Sequence, residues 1–417
     1  MRRLGAVIAV ALLAARANAA DQTPPGAGNA QAVEIARSSP LVAAAFRATR
    51  EKARQIEGRA LREATVDALY NENTCVQHRA GLTDADKARI VASLVSEGLL
   101  NDKDGAAFPG GAVAGVFPPV LDDGSRCPHL PQPFVSAPGS SFGGHHSYPG
   151  GLALHEDFNG RNALQLASGY AGVYGGPEDR DDASVPAGVS RDVLLAAPLW
   201  HDWAKTMVFQ WNEDGSEFKE LNFGGAGSAD AWGGAGDSRT GGHHIIGVAE
   251  AMKRGLAPDF VITQASAHSA PTNGNEYKVV NWVRAAAVIA GIDPVAKGYL
   301  RDDRGRLRLP ALRGLGSVDL NGAAPTQTNL LPEYAIHNLS DADFIYSGPV
   351  VATAQLLLSK LASEFGYDPA DAARYNVRYR NVALSRSSAE GIQELYAQGG
   401  LPAVAARLHE LRSLGAL

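Results

Sequence analysis

Residues 194–205 read LLAAPLWHDWAK, an apolar helix-like run that ends in His201-Asp202 with Lys205 close behind. A run of this kind buries one face in a protein core, and the polar residues at its end then point into a cleft. Three other stretches place histidine in the same kind of context: PGGLALHEDFN (149–159), GGHHIIGVAEAMKRG (241–255) and FVITQASAHSAP (260–271). Apolar residues at three- and four-residue spacing surround each one, so the expectation is a mostly α fold whose helices carry His155, His201-Asp202, His243 and His268 toward one cleft. Singly, each histidine is most simply a satisfied core or surface residue. In this order, each on a predicted helix or its end, they form a pattern that chance does not readily supply.

Neutral imidazole suits Mn, Fe, Ni or Zn, and a carboxylate beside it adds the charge that holds a divalent ion. Neighbouring residues of a helix diverge by about 100°, so His201 and Asp202 converge on one ion only at a helix edge that faces it. Cys75 and Cys127 are the only cysteines. They are too few for a thiolate cage, so any metal must be held by histidine and carboxylate.

Outward from this segment, residues 29–100 have helical periodicity, and Thr83 is a cap candidate for one helix. Residues 104–144 are rich in Gly, Pro and Ser and are expected to form a long surface connection. From Pro149 to about Gly291 the pattern is helical again, broken by the loop Asn212–Gly242. That loop lacks a Gly-Lys-Ser/Thr ending, so its glycines say little about nucleotide binding and are better read as a flap or an insertion. Two helical runs close the chain. Between them Arg378, Arg380 and Arg386 either face an anionic ligand or form a solvated basic face, the second being the simpler expectation.

The chain opens MRRLGAVIAVALLAARANAADQ. Two arginines, about twelve apolar residues and an Ala-Asn-Ala site fit a secretory signal over 1–19, too short for the roughly 20 residues of a membrane span. The expected location is periplasmic or secreted, with no membrane attachment after cleavage. Loss of Arg2, Arg3 and Arg16 moves the formal charge from −6 to −9, which argues against nonspecific nucleic-acid binding. In an oxidising compartment Cys75 and Cys127 are expected to form one disulfide, two separate buried thiols being the alternative.

The segment 145–291 resembles the HD-domain superfamily of metal-dependent phosphohydrolases. HHSYPGGLALHE (145–156) is similar to the entrance of one branch of that family, LLAAPLWHDWAK resembles its His-Asp-x-x-Lys helix, and GGHHIIG (241–247) resembles its Gly-His-x-x-x-Gly element. The resemblance covers about a third of the chain. It implies an HD helical core over 145–291, preceded by an N-terminal helical segment (20–103) and the connection (104–144), and followed by a C-terminal helical segment (292–417) that packs on it.

Carried over, the resemblance makes His155, His201, Asp202, His243 and His268 ligands of one or two divalent ions, with Asp202 bridging if two bind. Asp202 and Lys205 would be catalytic. Lys205 would also contact a small phosphorylated substrate, with His145, His146, His244 and Arg284 as further contacts. The family's closing Asp, expected about eight residues after Glu276, is replaced by Arg284; Asn281 and Glu276 are nearby substitutes, and Asp341 and Asp343 distant ones that could fold back. The implied activity is phosphoester or nucleotide hydrolysis. A di-iron oxygenase, which uses the same ligand set, and a non-catalytic protein with an incomplete site are the alternatives.

Overall fold

The computed structural model describes residues 24–122, 126–175, 188–217, 219–224, 238–271, 275–313 and 331–417. The expected leader lies outside these residues, as do parts of the Asn212–Gly242 loop.

The fold is mostly α. Four helices begin it: α1 (Asn29–Ser38), α2 (Pro40–Arg54), α3 (Arg59–Tyr70) and α4 (Asp84–Ser96). Thr83 caps α4 in a reciprocal capping box with Asp86. The Gly/Pro-rich connection is less irregular than its composition suggests. It contains the short helices α5 (Asp102–Ala107) and α6 (Gly111–Val116), and its Cys127 is disulfide-bonded to Cys75, with Cα atoms 5.3 Å apart.

The central helices are α7 (Gly151–Tyr174), α8 (Arg191–Trp200), α9 (Lys205–Val208), α10 (Gly242–Lys253), α11 (Pro258–Ala265) and α12 (Glu276–Ala290). Next come α13 (Pro332–Ser340), α14 (Phe344–Leu361), α15 (Ala372–Tyr375), a π-helical turn over Asn376–Arg380, α16 (Asn381–Ser387) and α17 (Ala389–Ser413), which is kinked at Gly399-Gly400. The ribbons β1 (Asn222–Phe223) with β2 (Thr240–Gly241) and β3 (Arg301–Asp303) with β4 (Arg306–Arg308) are antiparallel pairs. None of the described helices is long and apolar enough to cross a membrane.

Helix α7 lies against α2, α8 and α13, α8 also meets α3 and α11, and α10 packs on α11 and α12. The N-terminal and central helices share one apolar core, in which Trp200, Trp203, Met207, Ile246, Phe260 and Val280 are buried. Trp200 and Trp203 each satisfy their indole N–H there, on Thr65 Oγ1 and the Ala68 carbonyl. A second apolar core joins α14, α16 and α17, with Tyr148 from the loop before α7 buried in it. The segment around His145 is therefore gripped from both sides.

Two glycines set the start of α7. Gly150 has φ +85°, and a Cβ there would strike the Val42 side chain at 2.5 Å. At Gly151 a Cβ would lie 1.8 Å from the His146 carbonyl oxygen, so no larger residue fits.

Arg380 crosses between these layers. Its guanidinium donates to Asn381 Oδ1 (2.6 Å) and Ser147 Oγ (3.2 Å) and lies 4.1 Å from the Phe142 ring. Arg378 and Arg386 instead line a separate cavity with Arg374, so the three arginines noted in the sequence do not form one group. The charge facing Arg380 is Glu217, a buried carboxyl with no bond to another side chain, pushed up by burial to about 8.

A carboxyl whose folded pKa is raised loses stability as pH climbs above its unfolded value near 4.5 and has the full loss above about 8. Glu217→Gln should therefore raise folding stability by about 3 kcal/mol at pH 7 and leave it unchanged at pH 4. Denaturant melts at the two pH values check this, and an equal gain at both would contradict it.

Candidate metal centre

The candidate residues stand at or near helix ends that meet at one place. Helix α8 stops at Trp200, and His201-Asp202-Trp203-Ala204 form the turn to α9 instead of continuing the helix. His155 stands on the second turn of α7, His243 at the start of α10 and His268 just beyond α11. The turn between α13 and α14 adds Asp341 and Asp343.

Four donor atoms meet in the first group. Asp341 Oδ1 is 3.1 Å from both His155 Nε2 and His201 Nε2. Asp202 Oδ2 is 3.3 Å from His155 Nε2 and 3.4 Å from His201 Nε2. The other oxygen of Asp202, Oδ1, is 3.2 Å from His243 Nε2, and His268 joins this second group with ligand atoms within 4.8 Å. Asp202 is thus shared between two histidine groups, one oxygen to each.

These separations also fit ligands of one cation. Two donors each about 2.1 Å from one ion stand roughly 3.0 Å apart at 90° and 3.4 Å apart at the tetrahedral angle. Asp202 Oδ1 and His243 Nε2 are also buried without a hydrogen-bond partner despite their proximity. Such pairs are costly unless a third species satisfies both.

The outer partners agree. His243 Nδ1 is 2.7 Å from Glu220 Oε2, His201 Nδ1 is 2.9 Å from the Pro198 carbonyl, and His155 Nδ1 is 3.1 Å from Asp343 Oδ1. His268 Nδ1 is 2.9 Å from Thr240 Oγ1. Glu220 and the Pro198 carbonyl can each accept an Nδ1–H, which directs Nε2 of His243 and His201 toward the cluster, whereas His155 Nδ1 and Asp343 Oδ1 are close but buried without a hydrogen-bond partner. Asn159, one turn after His155, donates to Asp341 Oδ1 at 3.2 Å and fixes that carboxylate.

Charge at the site follows from its carboxylates. Burial opposes a charge on His201, but Asp202, Glu156 and Asp341 overcome it and hold the imidazolium up to about 10. Burial would likewise raise Asp202, yet His201 and Lys205 keep it well below the ordinary carboxylate range. The cluster draws positive charge to itself, and it can bind a metal ion.

A cavity of about 450 Å³ opens on this cluster, lined by His145, His155, Asp202, Lys205, Glu220, His243, His268, Asn338 and Asp341 among others. Lys205 bonds Asp202 Oδ2 and the Gly139 carbonyl, so two of its three donors are engaged. His145 sits on the wall with its ring 4.8 Å from that of His155.

Three residues expected to meet substrate are not brought to this cavity. His146, held at φ +50°, turns instead toward Asp343 and Glu390 at 3.8 and 3.9 Å, and lines a different pocket. His244 is buried behind His268, stacked on it at 4.3 Å, and bonds the Ala265 carbonyl. Arg284 points away to Asn281 and Glu97, because the helix that carries it presents its buried face to α10. Glu276 is also elsewhere, paired with Arg308.

Of the carboxylates weighed as substitutes for position 284, Asp341 is the one that stands with both His155 and His201. Glu220, Asn159 and Gly139 were not anticipated. Glu220 lies in the loop read as a flap, and nothing in its local sequence marks it.

No protein-family model, curated protein or solved structure matches the chain.

Elemental analysis after metal loading should find metal in the wild type and a marked loss in Asp341→Ala. Glu220→Gln, which keeps His155, His201, Asp202, His243, His268 and Asp341, should weaken affinity by about 10- to 100-fold. Wild-type metal content in Asp341→Ala would remove Asp341 from the ligand set. Affinity should also rise with pH, since a ligand such as His201 must first lose its proton; a pH-independent titration would contradict this.

Proposed function

We propose that this protein is an exported metal-dependent phosphohydrolase, an HD-type enzyme that cleaves a phosphoester of a small molecule with one or two divalent ions held by His155, His201, Asp202, Asp341, His243 and His268. The observation that carries the proposal is the division of Asp202, one oxygen toward His155 and His201 and the other toward His243. This suits a carboxylate that bridges two ions. Asp341 supplies the carboxylate whose loss at position 284 favoured a non-catalytic protein. The bonded pair Cys75–Cys127 supports an oxidising compartment.

When bound, divalent ions lower the pKa of a coordinated water from about 15.7 to about 7 and offset phosphoryl charge. The chain's own residues do the rest. Asp341 and Asp202 fix the buried imidazoles of His155, His201 and His243, with Asn159 holding Asp341. Lys205 braces Asp202 and Gly139 and keeps one N–H for a phosphoryl oxygen. His145, kept uncharged by burial, stands on the cavity wall, where its ring can contact the substrate. Overall, the water oxygen bonds to phosphorus, the P–O bond to the leaving group breaks, and the departing alkoxide gains a proton.

The test is release of p-nitrophenol from its phosphomonoester and phosphodiester by protein stripped and reloaded with Mn, Fe, Ni or Zn. Activity should require metal and fall at least ~10²-fold in His201→Ala and Asp202→Ala. Metal-loaded protein that releases nothing but consumes oxygen with iron would replace this function with an oxygenase.

A further inference from the structure

The cavity above the metal cluster has two unlike halves. Its floor is the His/Asp array, and its outer wall is formed by Phe209, Ala267, Leu339, Ala342, Phe344 and Ile345. Where α13 meets α14, Leu339 near the end of α13 is 51% exposed, and Phe344 and Ile345 at the start of α14 are 50% and 69% exposed. The turn between these helices carries Asp341, so the apolar wall and the ligand set are built on one rigid corner. Large apolar side chains left in solvent beside a polar, concave site mark a surface meant to be covered by a ligand.

The charge on the wall narrows the occupant. Among the described lining residues Lys205 is the one lysine and there is no arginine, while Glu220 adds a carboxylate. A polyphosphate chain would bring several negative charges past the metal array with only one partly engaged ammonium to meet them. A single phosphoryl group needs no more than the metal array and Lys205. The volume of about 450 Å³ holds a phosphoryl group and a short organic portion.

We infer that the substrate is an amphipathic phosphomonoester, with its one phosphoryl group on the metal floor and an alkyl or aryl group packed on Leu339, Phe344 and Ile345. This rests on the phosphohydrolase proposal and names the substrate class of that site. A nucleoside triphosphate is disfavoured.

The test uses non-hydrolysable probes and measures binding, not turnover. Methylphosphonate and n-butylphosphonate carry the same head group and differ by three methylenes, and each methylene that becomes buried tightens binding about fourfold. Calorimetric titration of the full-length, metal-loaded protein should therefore show butylphosphonate binding tens of times more tightly than methylphosphonate. In Phe344→Ser/Ile345→Ser that difference should shrink to a fewfold, with methylphosphonate binding unchanged.

Equal affinity of the two probes for the wild type overturns the inference and leaves the phosphohydrolase proposal standing. Failure of both to bind removes that proposal and this inference together. A double variant that keeps the butyl preference but changes the sedimentation of the protein would make the apolar corner a protein interface, and would also overturn the inference.

Discussion

The buried carboxylate of Asp202 is the constraint on which the rest of the structure depends. A carboxylate removed from water is expensive unless positive charge and hydrogen-bond donors replace the lost hydration. Here Lys205 follows it by three residues, His201 precedes it, and His155 and His243 come from two further helices. The turn between α8 and α9 can present Asp202 in this way only because Trp200 and Trp203 anchor it in the core with satisfied indoles. Helix α3 thus supports the site from behind, since it provides both indole partners.

The same constraint explains the outer carboxylates. Glu220 and Asp343 stand behind His243 and His155, and the Pro198 carbonyl stands behind His201. Each imidazole is thereby aimed, and each aiming group belongs to a different part of the chain. The C-terminal layer contributes through the corner between α13 and α14 and through Arg380, which bonds Ser147 beside the two entrance histidines. A site assembled from so many segments needs the fold to be complete before it forms.

The helical class and the residues His155, His201, Asp202 and His243 that the fold gathers were legible because their signals are local. A His on an apolar helix, a His-Asp pair and a Pro-Gly-Gly turn leave their marks within a dozen residues. Position 341 was harder. It lies far along the chain from the other residues, and the family resemblance placed the closing carboxylate at position 284, where Arg284 instead meets Glu97. His146 and His145 look alike in sequence, but the left-handed backbone at His146 turns its ring to a different pocket. Glu220 and Asn159 are ordinary polar residues whose role exists only once distant helices meet, and no periodicity records that.

The most direct test of the central claim, that Asp202 is a carboxylate shared between two metal positions, is a crystal structure of metal-loaded protein with anomalous data at the metal edge. Two peaks about 3.5–4 Å apart should flank Asp202, one among His155, His201 and Asp341 and the other beside His243 and His268. Full loading that gives peaks only elsewhere, or no peak at Asp202, would contradict it.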